Sequence, residues 1–482
     1  MASLTIRNLS SVPLELKHIQ RFEGQAAPKP GGIANLTSTI TGIFNATHTP
    51  TGGVTPRGDH PIEKRDVNGV TVQPFTTHST DIRAADPTRE VLRLTFQQPG
   101  TDHRYEVDAP GPSPRSLVLR HVSGGNAPHE FTAVYIPNGA HLAIYSSANL
   151  SRWMGELADG FPLSALSIPG THNSPTCHVA LPSVRCQAVG VREQLDNGVR
   201  FMDIRVSANP FGKGNDEDSE LALVHSAFPI SLTGVKRFSD LLKEVYAFLE
   251  RNPSETVLMS IKREGTGKGT DGDLSRHLAT DRYLGADGSG RRWFTEPRIP
   301  TLGEARGKIV LVRRFGLDDD LKRRLHGGQG WGIDGSSWPD NCEDKPTGSG
   351  LIRVQDFYEV DQSTNIEKKI QLARAQLERA GQTRFPASST PNAKPPPLFV
   401  NFLSASNFFN ANCWPEKIAA KVNPAVIEYL CIRHGEHGKG PNGLDVGDAS
   451  TGIVVTDWVG NDGDWDLIRC IVGWNARLQL KK

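Results

Sequence analysis

Leu166–Pro175 reads LSIPGTHNSP: an apolar run closed by Pro169-Gly170, which we read as a turn, and then His172 among small polar residues. A histidine delivered in this way can work on a substrate. With 15 histidines in the chain, one loop histidine after a glycine means little alone, and the weight lies with the segments downstream of it.

Working outward, four further apolar runs end on charged or titratable residues. FMDIRV (Phe201–Val206) carries Asp203 and Arg205, LALVH (Leu221–His225) ends on His225, TVLMSIK (Thr256–Lys262) on Lys262, and IVLVRRF (Ile309–Phe315) on Arg313 and Arg314. IVVTDW, Ile453–Trp458, does the same with Asp457. Short β-branched runs that are apolar along their length read as parallel strands buried on both faces. Reactive groups at the C-terminal ends of such strands are how a β/α barrel builds its active site. Between two of these runs, Leu241, Leu242, Val245, Phe248 and Leu249 share one helical face, with Ser239 as the expected N-cap and Asn252-Pro253 as the stop.

Residues 1–150 alternate rather than run. LTIRNL, LELKHIQRF, REVLRLTF, HRYEVDA, RSLVLRHV, EFTAVYIP and HLAIYSS are strand-length segments with turn residues between them, the pattern of an antiparallel sandwich. Between Gln25 and Asp66 the Gly, Pro, Thr and Ala content predicts a long excursion without elements. No chemical constellation falls in this region. The expected organisation is an all-β sandwich-like domain over 1–150, of unknown role, followed over 151–482 by an α/β, distorted (β/α) TIM-type barrel; the latter stretch exceeds the roughly 250 residues of a plain barrel and leaves room for insertions.

Lys plus Arg number 54 against 53 Asp plus Glu, so no basic field points to nucleic acid. No stretch of about 18 apolar residues exists to span a bilayer, so membrane contact is expected to be peripheral. The opening MASLTIRNLSSVPLEL lacks the basic start and apolar core of a secretory signal. The expectation is a cytoplasmic chain with peripheral membrane contact, leaderless secretion being left open. Cys177, Cys186, Cys342, Cys413, Cys431 and Cys470 have neither CxxC nor zinc-ligand spacing, and free thiols are expected, although the even count permits bridges.

In the second half, LIRVQDFYEV reads as a strand with Asp356 and Tyr358 on one face, Asn365–Ala380 as a charged amphipathic helix, and PASSTPNAKPPP as a surface loop. Helix is expected from Pro424 to Ile432, and His434 and His437 in the glycine-rich loop after it read as solvated rather than metal-binding. Two histidines, one guanidinium and no carboxylate cluster to hold a cation suit metal-free phosphodiester cleavage. One imidazole takes a proton from the attacking hydroxyl and the other gives one to the leaving oxygen. Arg205 offers paired donors to the phosphate, and Asp457 is a candidate to orient one imidazole.

These segments in order, from LSIPGTHNS through LDNGVRFMDIRV, LALVHSAF, NPSETVLMSIKRE, LGEARGKIVLVRRF, SSWPDN, RVQDFYEV and FVNFLSAS to GIVVTDW, resemble the bacterial-type phosphatidylinositol-specific phospholipases C, X-domain family, from about residue 160 onward. The resemblance implies an incompletely closed barrel that needs no metal or other cofactor. The implied reaction cleaves phosphatidylinositol to diacylglycerol and inositol 1,2-cyclic phosphate. It further implies His172 as general base, His225 as general acid, Asp457 as the carboxylate orienting His172, and Arg205 as the phosphate ligand supported by Asp203. Lys262, Arg314 and Asp356 match positions that bind the inositol hydroxyls, Tyr358 the ring that stacks on the sugar, and Trp338 a pocket wall. Asn173 departs from the pattern: it stands where these enzymes have an Asp thought to assist the acid histidine, so a lower pKa is expected for that acid. Phe408, Phe409 and Trp414 fall in an expected rim loop that would dock on lipid. The partner expected is an inositol-containing lipid in a membrane surface; protein partners are not legible. A non-catalytic inositol-lipid or inositol-glycan binding protein, or another barrel phosphodiesterase, remains the alternative.

Overall fold

The structure is a computed structural model that describes residues 2–27, 53–113, 116–147, 149–181, 183–213, 220–285, 291–385 and 395–481. The chain divides into two compact units, Met1–Ser147 and Ala148–Lys482.

In the first unit the alternating segments form two sheets. One runs Thr76–Arg83, Ser3–Leu9, His141–Ser146, Phe131–Ile136 and Leu117–Val118 in spatial order. The other runs Val54–Pro56, Leu14–Ala26, Glu90–Gln97, Arg104–Ala109 and Arg120–His121, with Glu63–Val72 also on Leu14–Ala26. Inward residues of both sheets, among them Ile6, Leu16, Leu94, Phe96, Leu142 and Ile144, share one core. This is the sandwich expected from alternation, with two differences. Ser3–Leu9 pairs in parallel with His141–Ser146, because chain neighbours need not be sheet neighbours. Within the stretch expected to lack elements, Val54–Pro56 and the start of Glu63–Val72 are strands, recruited by main-chain pairing to Leu14–Ala26 despite their polar composition. The remainder of that stretch, 28–52, lies outside the described residues, as does most of PASSTPNAKPPP.

The second unit is the expected distorted barrel. Its parallel strands stand in the order Ile309–Arg314, Val257–Arg263, Phe201–Ser207, Ile168–Thr171, Ile453–Thr456, Leu398–Phe402 and Ile352–Gln355. The outer edge of Ile309–Arg314 takes two short parallel strands, Trp293–Phe294 and Ile333–Asp334. Among the described residues no ladder joins these to Ile352–Gln355, so the sheet curls without closing. Helix Phe238–Arg251 buries Leu241, Leu242, Val245, Phe248 and Leu249 as the periodicity requires. It begins at Phe238 rather than after Ser239, because Arg237 is held extended by a bridge to Ala222. Helix Ile366–Gln382 runs two residues past the expected end, and helix Pro415–Ile432 starts nine residues before Pro424, with Pro415 in its first turn where no N–H is needed.

Three strand expectations need correction. Pro169-Gly170 is not a turn: both residues lie inside strand Ile168–Thr171, and a Cβ on Gly170 would stand 2.9 Å from the Phe201 Cβ, so the glycine permits close strand approach. LALVH is not a parallel barrel strand. Ala222–His225 pairs antiparallel with Phe201–Ser207 and turns back through Phe228–Pro229, so His225 arrives on a hairpin. Strand Ile352–Gln355 ends before Asp356, leaving Asp356 and Tyr358 in the segment beyond it. The six cysteines stand as free thiols. His434 is buried, not solvated: its Nε2 pairs with the Ala449 carbonyl and its ring meets Trp474 edge-on at 4.6 Å, whereas His437 is exposed. No helix among the described residues is long and apolar enough to cross a membrane.

Candidate active site

Strand register builds the centre of the site. Thr171 pairs with Thr456, so the residues immediately after each strand, His172 and Asp457, emerge side by side. His172 Nδ1 lies 3.0 Å from Asp457 Oδ1, while the His172 backbone N–H donates to the Thr456 carbonyl at 2.9 Å. An N–H on Nδ1 donating to Asp457 leaves Nε2 unprotonated, the state a general base needs, with the Asn173 amide nitrogen as its neighbour at 3.4 Å. Burial raises the Asp457 pKa against the opposing pull of His172 and of Lys369.

His225 faces His172 from the hairpin with ring centroids 5.7 Å apart and planes perpendicular. Its Nδ1 lies 2.8 Å from the Val184 carbonyl, which leaves Nε2 for a substrate. Burial, then Arg205 and His172, push its pKa down to about 4. The sequence attributed a depressed acid to Asn173, but the Asn173 amide nitrogen lies 3.4 Å from His172 Nε2, on the other imidazole. Asn173 sits at φ +43°, a conformation asparagine tolerates, and its backbone N–H donates to Asp203.

Phe201–Ser207 and Val257–Arg263 pair Arg205 with Lys262, and Lys262 pairs with Arg314 on the next strand, so three cations line one wall. Each is met by carboxylate. Arg205 reaches Asp203 at 3.0 Å and Glu264 at 3.0 Å, and Lys262 reaches Glu264 at 2.8 Å. Arg314 bonds Asp203 at 3.3 Å. Burial works against the charges of Asp203 and Arg205, but their mutual attraction and that of Arg314 and Glu264 win, so the carboxyl is held well below its usual range and the guanidinium above. Glu264 is likewise buried yet lowered to about 2 by Arg205 and Lys262.

Against this wall, Trp338 lies under the Arg314 guanidinium at 3.9 Å and donates its indole N–H to Asp356 at 3.0 Å. Tyr358 is about one-third exposed, and its hydroxyl donates to Asp340 at 2.9 Å. Burial and Asp340 push its pKa up to about 12. Phe409 is almost wholly exposed at 96% and Phe408 less so, its ring stacked on Phe228 of the His225 hairpin at 5.8 Å. Trp414, half-buried, stands at the N-cap position of helix Pro415–Ile432 with its indole N–H on the Phe408 carbonyl at 3.3 Å, so it shares the Phe408 loop.

Sequence reading missed four residues here. Gln187 donates to the His172 and Thr456 carbonyls at 2.7 and 3.0 Å, clamping the two strand ends. Glu264 joins Arg205 to Lys262 and was legible as the acid two residues past a strand-end lysine. Lys369, buried in helix Ile366–Gln382, bonds Gln355 at 3.2 Å and the Phe357 carbonyl at 2.6 Å, and burial lowers it to about 7. Cys186, whose thiol burial pushes up, touches His225 Nδ1 with its Sγ at 3.7 Å. No local sequence signal marks Gln187, Lys369 or Cys186.

Residues 160–315 match the family described as phosphatidylinositol-specific phospholipase C, X domain. The chain resembles the X-domain phospholipases C. It is 25% identical over 331 residues to a 1-phosphatidylinositol phosphodiesterase of Staphylococcus aureus strain Newman, covering 67% of this chain and 93% of that protein. A 1-phosphatidylinositol phosphodiesterase of Listeria monocytogenes is 31% identical over 184 residues, covering 37% and 53%. The solved structure of a variant of the S. aureus phosphatidylinositol-specific phospholipase C superposes with TM-score 0.50 at 22% identity, over 68% of this chain and 98% of that one, which bears on the fold. Another structure of that enzyme, at TM-score 0.51 and 23% identity over 68% and 97%, concerns modulation of its membrane binding. The X-domain match lies within the second unit.

Proposed function

We propose that the chain is a phosphatidylinositol-specific phospholipase C that works with its own side chains and no resident metal. The observation that carries the reading is the perpendicular His172–His225 pair, 5.7 Å between centroids, with Asp457 behind one ring and Arg205 beside the other. His172 Nε2 takes the proton of the inositol 2-hydroxyl as its oxygen bonds to phosphorus. The bond from phosphorus to the diacylglycerol oxygen breaks, and His225 gives that oxygen its proton. The products are diacylglycerol and inositol 1,2-cyclic phosphate, with each histidine left in the form that the reverse roles require for attack by water. Arg205 stabilises the charge building on the phosphate oxygens. The bound phosphodiester anion offsets the pull of Arg205 on His225, raising the acid toward the range in which it carries a proton.

Inositol is read by Lys262, Arg314 and Asp356 through its hydroxyls, by Tyr358 through ring stacking and by Trp338 as a wall. Phe408 and Phe409 enter the lipid surface, while Trp414 braces their loop. The donor set argues for the metal-free reading: Asp203 is shared by Arg205 and Arg314, and Glu264 by Arg205 and Lys262, so these carboxylates are already neutralised by cations. The test is cleavage of phosphatidylinositol vesicles in excess EDTA, followed by phosphorus NMR. Cyclic phosphate is the expected first product; vesicle binding without turnover would make the chain a binding protein, and turnover only on restoring calcium would overturn the metal-free mechanism.

A further inference from the structure

We propose that Gln187 is a positioning residue for the phosphodiester reaction, and that the segment Val184–Gln187 fixes the spacing of the two imidazoles. The inference rests on the catalytic reading above and adds to it what holds the two histidines in register. Gln187 is 0% exposed. Its Nε2 donates to the His172 carbonyl at 2.7 Å and to the Thr456 carbonyl at 3.0 Å, and lies 3.4 Å from Asp457 Oδ1, the oxygen that faces His172 Nδ1. An amide has two N–H donors, and both are directed at the main chain where the base and its carboxylate leave their strands. Its Oε1 is buried with no hydrogen-bond partner among the described residues. An acceptor left in that state costs stability, and a methionine would fill the same space without that cost. The N–H face is what this position uses.

The residues before Gln187 hold the rest of the centre. His225 Nδ1 donates to the Val184 carbonyl at 2.8 Å, which turns Nε2 of that ring toward the substrate. The Trp458 N–H, one residue beyond Asp457, donates to the Cys186 carbonyl at 2.9 Å, and the Cys186 N–H donates to the Thr176 carbonyl at 3.2 Å. Arg185 braces the segment, with Nε on the Gln187 carbonyl and Nη2 on the Ala188 carbonyl at 3.1 Å each, and its guanidinium lies 4.8 Å from the centre of the Trp458 ring. Trp458 stands at φ +58°, a conformation that L side chains seldom adopt and that its surroundings must hold. Four consecutive residues thus meet the ring of the acid, the main chain of the base and both flanks of Asp457. The sheet joins the His172 strand to the His225 hairpin through Phe201–Ser207, which pairs with both; this segment joins the two histidines directly. A misplacement of about 1 Å between such groups costs about 10² in rate.

The experiment uses the full chain with Gln187→Met, which keeps the volume and removes the donors, and with Gln187→Asn, whose amide is one methylene shorter; thermal melts check that each folds. On phosphatidylinositol in mixed micelles, Gln187→Met should lower kcat about 10²-fold with KM within about three-fold of wild type. The low-field proton resonance of the His172 Nδ1–H on Asp457, identified by its loss in His172→Ala, should shift or broaden in both variants. In an Asp457→Asn background, where that pair is already broken, Gln187→Met should cost less than about five-fold. Should Gln187→Met not fold, Gln187→Asn carries the same three readouts. A folded variant with wild-type kcat, an unmoved imidazole resonance, or the full loss repeated in the Asp457→Asn background would overturn the positioning role. Because the resonance is read without substrate, a wild-type chain that cleaves no phosphatidylinositol while the resonance moves would count against the catalytic reading alone.

Discussion

Replacing Arg205 by lysine tests the phosphate site with charge held constant. An arginine has five N–H donors in a fixed fork, a lysine three on one nitrogen. Arg205 directs Nε and Nη2 at Asp203, 3.1 and 3.0 Å away, and Nη1 at Glu264, 3.0 Å away. That leaves one N–H on each terminal nitrogen for phosphate oxygens. A lysine that still neutralised Asp203 and Glu264 would have one donor left, so the transition state loses one charge-assisted bond in a largely buried setting. Loss of a single such donor costs about 10²–10³ in rate, or about 3–4 kcal/mol. Arg205→Lys should therefore lower kcat by that factor with a smaller change in KM, because the bond matters most as charge builds on the phosphate. Initial rates on phosphatidylinositol in mixed micelles give both constants, and a thermal melt checks that Asp203 remains neutralised. A folded Arg205→Lys enzyme within about five-fold of wild type in kcat would refute the reasoning, and a pure KM effect would reassign Arg205 to ground-state binding.

The same geometry sets three further outcomes. Lys369→Met leaves the Phe357 carbonyl and Gln355 without their ammonium and loosens the segment carrying Asp356 and Tyr358, so inhibition by free myo-inositol should weaken about ten-fold while kcat changes less; equal inhibition would remove Lys369 from that role. Phe409→Ala removes a 96% exposed ring, and if that ring enters lipid the loss of about 2 kcal/mol predicts roughly 30-fold weaker binding to phosphatidylinositol vesicles in a sedimentation assay, against no change if it does not. His225 titrates at about 4 in the folded chain against an ordinary 6.5, so as pH falls through that window the unfolded chain takes up a proton that the folded site refuses, and stability declines. Glu264, held at about 2 against 4.5, adds a second loss at still lower pH. Urea melts between pH 7 and 4 should show a shallower decline for His225→Gln than for wild type; parallel slopes would contradict the assignment.

The parts of this molecule legible in the sequence are those where chemistry sits on a regular element. Asp203, Arg205, Lys262 and Arg314 belong to unbroken apolar runs, and a parallel strand buried on both faces must bring such residues out at one end. Parallel pairing of Thr171 with Thr456 joins His172 to Asp457 across 285 residues, and here order along the chain did the work that local pattern could not. His225 shows the limit: LALVH has the composition of a barrel strand, and antiparallel pairing to Phe201–Ser207 becomes visible only with the partner in place. Alternation predicts Asp356 and Tyr358 on one strand face, although the strand stops at Gln355, whose side chain is drawn into bonds with Asn401 and the Phe402 carbonyl. Gln187, Lys369 and Cys186 carry no motif at all, since what brings them to the site is loop and helix packing.

The central claim is that two imidazoles divide the proton transfers, and a change of leaving group separates them most directly. An inositol phosphate ester with a nitrophenol leaving group needs no acid, whereas phosphatidylinositol, leaving as an alkoxide, does. We would measure single-turnover rates of His172→Ala and His225→Ala on both substrates. The account predicts that His225→Ala is crippled on phosphatidylinositol and largely restored on the nitrophenyl ester, while His172→Ala is slow on both. Equal losses for the two variants on both substrates, or restoration of His172→Ala instead, would contradict it.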